Sequence, residues 1–184
     1  MVGLRSEQGR TSLRVNPVIA TQRFDLRPLA PADVDSLLVI VHQEGVRRYL
    51  CDEQRVDRSA VVEWVRASQA EFAEGRAGLW SVRPLDDTEQ IAGFVGFLGF
   101  YEPPVHELMF AMATEYWGRG YAVEASGAAI DWSRNNGGSQ RIRASTDEPN
   151  TASVRTLERL GFELASTSRP EGTKWTQLHF VLEG

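Results

Sequence analysis

The sequence is poor in cysteine, in lysine and in long apolar runs. A single cysteine, Cys51, cannot form an intramolecular disulfide, and it excludes a zinc site built from several cysteines. The longest apolar stretches, such as Val34 to Val41, contain charged residues or are far too short to cross a bilayer, which takes about 20 residues. Lys174 is the one lysine among 20 basic residues, a bias that we attribute to the coding sequence. These absences exclude a disulfide scaffold and predict no membrane association.

Length and charge predict one folded domain without a nucleic-acid partner. The chain has 184 residues, 42% of them apolar and 24% charged, and about 100–200 residues make one ordinary domain. The net charge is −5 and the arginines are scattered, so no basic footprint for a nucleic acid is visible. The first ten residues lack the apolar run of a signal peptide, which predicts a cytoplasmic protein. Because the three histidines lack the spacing of metal ligands, we expect no metal.

Apolar periodicity predicts a mixed α/β fold. Alternation over residues 24–27 predicts a half-buried strand, and apolar residues at i, i+3, i+4 and i+7 from Val34 predict an amphipathic helix. Continued along the chain, such patterns give the order β-α-α-β-β-β-α-β-α-β-β, with about seven strands in a mostly antiparallel sheet and about four flanking helices. Residues 1–20 show no period and are predicted to be a flexible arm, while 21–184 form the domain.

A glycine-rich turn, Tyr116 to Ala122, is the most informative segment. It lies between a predicted strand and a predicted helix. Glycines let backbone amides approach an anion, and the unpaired N–H groups of a helix N-terminus favour a phosphate. The turn fits neither the P-loop nor the Rossmann fingerprint. A bare Gly-x-Gly is also typical of a turn that needs positive φ, so both interpretations stay open at this point.

Together with Asn150 to Phe162, this turn resembles the two signature segments of the GNAT superfamily of acetyl-CoA-dependent N-acetyltransferases. The likeness is greater to the RimJ/RimL-like branch of ribosomal-protein-alanine acetyltransferases. That branch pairs a Tyr-Trp-Gly-Lys-Gly-Tyr-Ala-like turn and a following Glu-Ala, here Glu124-Ala125, with an Asn-x-x-Ser…Leu-Gly-Phe helix. The resemblance spans about residues 21–182 and implies a single GNAT-like α/β domain.

The resemblance implies a coenzyme site. In the family, backbone amides of the glycine turn hold the pyrophosphate, and the strand before the turn pairs with the pantetheine arm. Asn150 before a helix, with Ser153 three residues on, is equally typical of an N-cap. Arg119 and Arg159 could assist the phosphates, although exposed arginines on helices are more often solvated. The positions carried over to this chain as cofactor-binding are Phe110, Met112, Trp117, Gly118, Arg119, Gly120, Tyr121, Ala122, Asn150, Ser153 and Arg159.

The resemblance also implies two catalytic positions. Many superfamily members protonate the departing thiolate with a tyrosine, but that position is Leu157 here, and the branch's serine matches Ser153. A base must take a proton from the amine, and Glu107 stands where the branch commonly has glutamate. Glu102 and His106 are alternates for this role, from the adjoining turn.

The acceptor is predicted from proton energetics. An α-amino group with a pKa of about 7.7 loses its proton at pH 7 for roughly 1 kcal/mol, whereas a lysine with a pKa of about 10.4 requires roughly 4.6 kcal/mol. We therefore expect direct acetyl transfer from acetyl-CoA, as co-substrate, to a primary amine, with a protein N-terminal α-amine as the favoured acceptor. The resemblance implies that the region from Arg47 to Leu50 shapes the acceptor site. Tyr49 and Trp80 are candidates for lining an acceptor pocket, although packing in the core or at a partly exposed position is the more common role of such side chains.

Two alternatives stay open from the sequence. The acceptor could be a small-molecule amine or an aminoglycoside, which would call for an acidic cleft. The chain could instead be a non-catalytic acyl-CoA-binding module, because the usual tyrosine is absent at Leu157. The sequence does not decide whether the protein is a homodimer.

Overall fold

The computed structural model describes residues 17–51, 53–99 and 106–184, without the side chain of His106. Two sequence-based expectations fall outside these residues. The first is most of the predicted arm, residues 1–16. The second is the pair of alternative bases, Glu102 and the side chain of His106.

Eight strands in the described part of the chain form a single sheet in the order β1-β2-β3-β4-β5-β6-β8-β7. Neighbouring strands are antiparallel, with the exception of the parallel pair β5 and β6. These two strands are registered at a single pair, Glu107 opposite Arg143, and diverge beyond it. The strands are β1 (Ile19–Ala20), β2 (Phe24–Pro28), β3 (Leu79–Pro84), β4 (Gly93–Gly99), β5 (His106–Met112), β6 (Ile142–Asp147), β7 (Glu163–Ser168) and β8 (Gln177–Leu182).

Five α-helices of the described residues cover both faces of the sheet, because strand alternation leaves an apolar set on each side. The core on one face contains Ala125, Ala129 and Leu157, and the core on the other contains Val41, Val46 and Val61. The helices are α1 (Val34–His42), α2 (Glu44–Leu50), α3 (Arg58–Ala73), α4 (Tyr121–Asn135) and α5 (Thr151–Arg159). The predicted α/β class, mixed sheet and element order are confirmed.

Two elements are additional to the about seven strands and four helices of the sequence prediction. Strand β1 has two residues, too few for any alternation to be recognised. Helix α2 follows α1 after a single residue, Gln43, whose φ of −59° and ψ of 132° end one helix and begin the next. No glycine or proline marks that break, so the sequence gives little warning of it.

Residues 17–20 of the predicted arm join the domain. Ile19 and Ala20 pair with β2, and the Pro17 carbonyl accepts a hydrogen bond from the indole N–H of Trp80. Trp80 is 0% exposed, and a buried indole N–H needs such an acceptor. Its ring packs edge-on against Phe72 and Trp132. Trp80 therefore belongs to the core, the more common role that the sequence predicts for it, and does not line an acceptor pocket.

Among the described residues, no helix is both long enough and apolar enough to cross a membrane.

Candidate active site

A cavity of about 790 Å³ opens where β5 and β6 diverge. Its walls are β5, the glycine turn, the first turns of α4 and α5, and one side of α2. All but one of the predicted site residues line it, although they come from segments far apart in sequence: Glu107, Phe110, Met112, Trp117, Gly118, Gly120, Tyr121, Ala122, Asn150, Ser153 and Arg159.

Arg119 is the exception. Its exposed side chain lines a separate cavity of about 540 Å³, together with Asp86 and Glu115. Its flanking residues, Gly118 and Gly120, both have a φ of +73°, and the chain turns sharply between them. A contribution of the Arg119 side chain to the main cavity is therefore not supported, and its backbone stays part of the turn.

The glycine turn presents backbone donors to the main cavity. Gly120 is the N-cap of α4, has left-handed dihedrals and carries no side-chain capping bond. A Cβ atom added at Gly118 or at Gly120 would meet no atom within 4 Å, so both positions border open space. The first N–H groups of an α-helix have no carbonyl partner four residues back. The N–H groups of Tyr121 and Ala122 thus belong to a positively polarised helix end that faces the cavity.

Arg23, at the entry to β2, holds this helix end in place. Arg23 Nε lies 2.5 Å from Glu124 Oε2, and its backbone N–H donates to Glu124 Oε1 at 2.9 Å. Arg23 Nη1 also donates to the Arg119 carbonyl at 3.0 Å, and its guanidinium lies 4.3 Å from the centre of the Tyr121 ring. Burial raises the pKa of the Glu124 carboxyl, but hydrogen bonds from Thr21 and Arg23 outweigh it and lower the pKa. Glu124 is consequently an ionised, paired carboxylate.

Glu107 lies on β5, at the level where β5 and β6 are registered. Ser145 Oγ donates to Glu107 Oε1 at 3.2 Å. Burial raises the pKa of the Glu107 carboxyl, whereas the Ser145 hydrogen bond and the nearby His179 act in the opposite direction. A carboxylate with a raised pKa is a better proton acceptor near neutral pH than an exposed one.

The start of α5 serves as a cap and as a cavity wall at once. The Asn150 side-chain oxygen accepts a hydrogen bond from the Ser153 N–H at 3.2 Å, which is the N-cap interaction. Both residues also line the cavity. Leu157, one turn further along, is 0% exposed and belongs to the core, so its side chain does not reach the cavity.

Helix α2 contributes four residues to the cavity lining: Gly45, Val46, Tyr49 and Leu50. A Cβ on Gly45 would lie 2.6 Å from Trp117 Cη2, so the absence of a side chain lets the indole pack directly on the helix. Trp117 Nε1 donates to the Met112 carbonyl at 2.7 Å. Tyr49 Oη donates to the Pro149 carbonyl at 3.3 Å, which joins α2 to the connection before α5. Tyr49 and Pro149 both line the cavity, and the role of this region toward an acceptor stays a prediction.

Several lining residues were not singled out from the sequence. Ser145, Thr146, Trp64 and Arg155 face the same space. Ser145 lies in an alternating strand, Arg-Ile-Arg-Ala-Ser, so the sequence indicates which face of the sheet its side chain occupies. The sequence does not indicate that β5 is the neighbouring strand, because strand order is a long-range property. Among the described residues that line the cavity, Glu107 is the one acid, and Arg155 and Arg159 are basic. No cluster of three or more metal-binding side chains occurs in the described ranges.

The glycine turn at the N-terminus of α4 and the carboxylate of Glu107 thus border one cavity between β5 and β6, as the resemblance to acetyltransferases predicts. The chain belongs to the acetyltransferase (GNAT) domain family, whose model matches residues 23–163.

Relatives and solved structures agree with this family. The uncharacterized N-acetyltransferase YoaA of Bacillus subtilis is 24% identical over 148 residues, which cover 80% of this chain and 83% of YoaA. A GNAT-family acetyltransferase from Bordetella pertussis superposes with a TM-score of 0.75 at 23% identity, covering 90% of this chain and 98% of that one. RimL, a ribosomal L7/L12 alpha-N-protein acetyltransferase in complex with coenzyme A, superposes with a TM-score of 0.73 at 14% identity. The match covers 89% of this chain and 96% of the RimL chain. The predicted family, fold and enzyme class are thereby confirmed.

Proposed function

We propose that this acetyltransferase uses acetyl-CoA to acetylate a primary amine, and that the acceptor is the α-amine of a peptide or protein N-terminus. The single observation that carries this proposal is the cavity between β5 and β6, which joins open backbone donors at the α4 N-terminus to the half-buried carboxylate of Glu107.

The residues of the glycine turn suit the pyrophosphate of the coenzyme. Gly118 and Gly120 leave open space where a Cβ would project, so an anion can approach the N–H groups of Tyr121 and Ala122. One helix-end interaction contributes about 0.3–1 kcal/mol when exposed, so several amides must act together. Arg159, which lines the cavity on α5, adds a guanidinium for a further phosphate oxygen. When bound, acetyl-CoA supplies a thioester, which is an activated acyl donor.

Glu107 is the proton acceptor on the amine side. An alkylammonium ion has no free electron pair, so it must lose a proton before its nitrogen can attack a carbonyl carbon. The raised pKa of the Glu107 carboxyl makes it a competent base near neutral pH. Ser153, which also lines the cavity, offers a hydroxyl that can donate a proton to the departing thiolate. A thiol with a pKa of about 8.5 is a weakly basic leaving group, so a hydroxyl donor is sufficient.

The charge of the cavity favours a mono-amine over a polycation. Glu107 is the one acid among the described lining residues, and Arg155 and Arg159 stand in the same cavity. Several ammonium groups, as in an aminoglycoside, would lack carboxylate partners there and would meet two guanidinium groups. A single α-amine, followed by a neutral peptide backbone, needs one carboxylate.

A panel of amines tests this proposal. The purified chain is mixed with acetyl-CoA and with one of three acceptors: a peptide with a free N-terminus and no lysine, its N-terminally blocked counterpart with one lysine, or an aminoglycoside. Thiol release and the product mass are recorded. We expect the free N-terminus to be acetylated fastest, and Glu107→Gln to bind coenzyme A with unchanged affinity while turnover is lost.

The remaining outcomes separate the alternatives. Faster acetylation of the lysine peptide or of the aminoglycoside would overturn the acceptor assignment. Coenzyme binding without turnover of any amine would favour the non-catalytic module.

A further inference from the structure

Four polar side chains form a hydrogen-bonded file across four neighbouring strands. From β5 to β7 they are Glu107, Ser145, His179 and Ser168, which we call the polar file. Ser145 Oγ is 3.2 Å from Glu107 Oε1 and 3.0 Å from His179 Nδ1. On the other side of the ring, His179 Nε2 is 2.7 Å from Ser168 Oγ. Each of the four strands β5, β6, β8 and β7 thus contributes one member.

The register of the sheet fixes this file. Ser145 and His179 are direct partners in the antiparallel pair β6 and β8. An irregularity between Leu164 and Ser166 shifts the register of β7, so that Ser166 pairs with His179 and Ser168 lies two residues further along. The file does not depend on loop conformation, because all its members lie within strands.

The two ends of the file lie in different surroundings. Glu107 and Ser145 line the cavity, whereas Ser168 is exposed on the edge strand β7. His179 is half-buried between them. A serine hydroxyl both donates and accepts, and each imidazole nitrogen can do either, depending on the tautomer. Each hydrogen bond of the polar file can therefore pass a proton from one side chain to the next.

We propose that the polar file carries the proton taken from the amine out of the cavity, with Ser145 and His179 as positioning and relay residues behind Glu107. This inference rests on the proposed function. Starting from an ammonium ion, acetylation of an amine produces an amide, a thiol and one surplus proton. The C–N bond of the amide forms as the C–S bond of the thioester breaks. Of the two N–H bonds that the ammonium loses, one proton forms O–H on Glu107 and the other ends as S–H on the thiol.

The surplus proton then moves in balanced steps. Once protonated, Glu107 gives a proton to Ser145 Oγ as Ser145 gives its own to the unprotonated Nδ1 of His179, which restores the carboxylate and leaves an imidazolium. The imidazolium releases its Nε2 proton through Ser168 to solvent, and exchange of the ring protons with solvent restores the Nε2–H tautomer before the next turnover. Histidine suits this place because each of its two ring nitrogens can hold or release a proton. Such a route matters when coenzyme and acceptor fill the cavity and displace the water through which Glu107 could otherwise discharge.

The first experiment needs no coenzyme and no amine. NMR titrations of the ligand-free protein follow the Glu107 carboxyl carbon and the His179 ring nitrogens together. We expect protonation of His179 to appear as a second inflection in the Glu107 carboxyl shift, and Ser145→Ala to abolish that inflection. Ser166→Ala, a serine of β7 outside the file, is the matched control and should leave it unchanged. Independent titrations of the two groups in the unmodified protein would overturn the proposal.

The second experiment measures the relay during turnover. We expect His179→Gln to lower kcat about tenfold, less than the roughly 10²–10⁴-fold of a group that touches the reacting proton. The KM for acetyl-CoA should stay unchanged and the solvent isotope effect on kcat should rise. Added imidazole should restore part of the rate of His179→Ala.

The outcomes are distinguishable from failure of the proposed function. Three outcomes would each overturn the relay. They are an unchanged kcat in His179→Gln, a loss of rate in His179→Ala that imidazole does not restore, and a loss of kcat in Ser166→Ala equal to that in His179→Gln. If the unmodified chain acetylates no amine at all, the proposed function fails, and the NMR titrations still decide whether Glu107 and His179 are coupled through Ser145.

Discussion

Replacement of Gly120 by alanine separates backbone strain from coenzyme recognition. Gly120 has a φ of +73°, a conformation in which an L residue is strained by about 1–2 kcal/mol. A Cβ at this position meets no protein atom within 4 Å, so no clash adds to the strain. For a chain of 150–250 residues, 1 kcal/mol lowers Tm by about 2–4 °C. We therefore expect Gly120→Ala to lower Tm by roughly 2–8 °C and to fold.

The effect on coenzyme binding has a different origin. The open space beside Gly120 is the space in which a pyrophosphate would contact the α4 N-terminus, so the new methyl group occupies it. A hydrogen bond to a charged group contributes about 1.5–3 kcal/mol, and about 1.4 kcal/mol corresponds to a factor of ten in Kd. Loss of one such bond predicts a Kd for coenzyme A that rises about 10- to 100-fold.

Gly172→Ala is the matched control. Gly172 has a φ of +80° and likewise nothing within 4 Å of an added Cβ, but it lies in the connection between β7 and β8. It should therefore show the same loss of Tm as Gly120→Ala with an unchanged Kd. Calorimetric titration with coenzyme A and thermal unfolding measure the two quantities on the same samples. A Kd for Gly120→Ala within about twofold of the unmodified protein would refute the assignment of the glycine turn to the pyrophosphate.

Three further perturbations address the rest of the site. Since the pKa of the Glu107 carboxyl is raised in the folded state, stability falls as pH rises from the unfolded value through the folded one; Glu107→Gln should remove this slope in melts at several pH values. It should also lower kcat by about 10²–10⁴-fold. Arg23→Ala should lower the free energy of unfolding by about 1 kcal/mol, because the Arg23 side chain is 39% exposed and solvent screens its pair with Glu124; a double-mutant cycle in denaturant measures it. Gly45→Ala should displace the Trp117 ring, since the added Cβ would lie 2.6 Å from it, and should shift tryptophan fluorescence and raise the acceptor KM.

The elements that the sequence predicted well are those with a local cause. The N-cap role of Asn150 and the turn at Gly118 and Gly120 follow from dihedral preferences and short-range hydrogen bonds, and both are present. The stripes that define α1 and α3 likewise need only their own residues. The sequence does not predict helix α2 as a separate element, because only the ψ angle of Gln43 separates it from α1. Glutamine has no strong preference for that conformation.

The elements that the sequence could not predict depend on strand order. His179 was considered only as a metal ligand and dismissed, yet the pairing of β8 with β6 places it 3.0 Å from Ser145. The partners of Trp80 are likewise fixed by the fold, since Trp132 of α4 packs against its ring. The contacts of His179 with Ser145 and of Trp80 with Trp132 join residues more than 30 positions apart, which no local pattern encodes.

The charge of the chain and the charge of its cavity are separate quantities. A net charge of −5 would repel an anionic coenzyme at long range, but at physiological ionic strength charges farther apart than about 8 Å are largely screened. Within that distance the cavity offers the α4 N-terminus, Arg155 and Arg159, while the acidic Glu124 at the same helix is neutralised by Arg23 at 2.5 Å. The only lining carboxylate of the described residues, Glu107, comes from a different element, strand β5. Under the proposed function, the helix termini hold the polyanionic donor and the strand carboxylate deprotonates the cationic acceptor, and this separation is what lets one acidic chain do both.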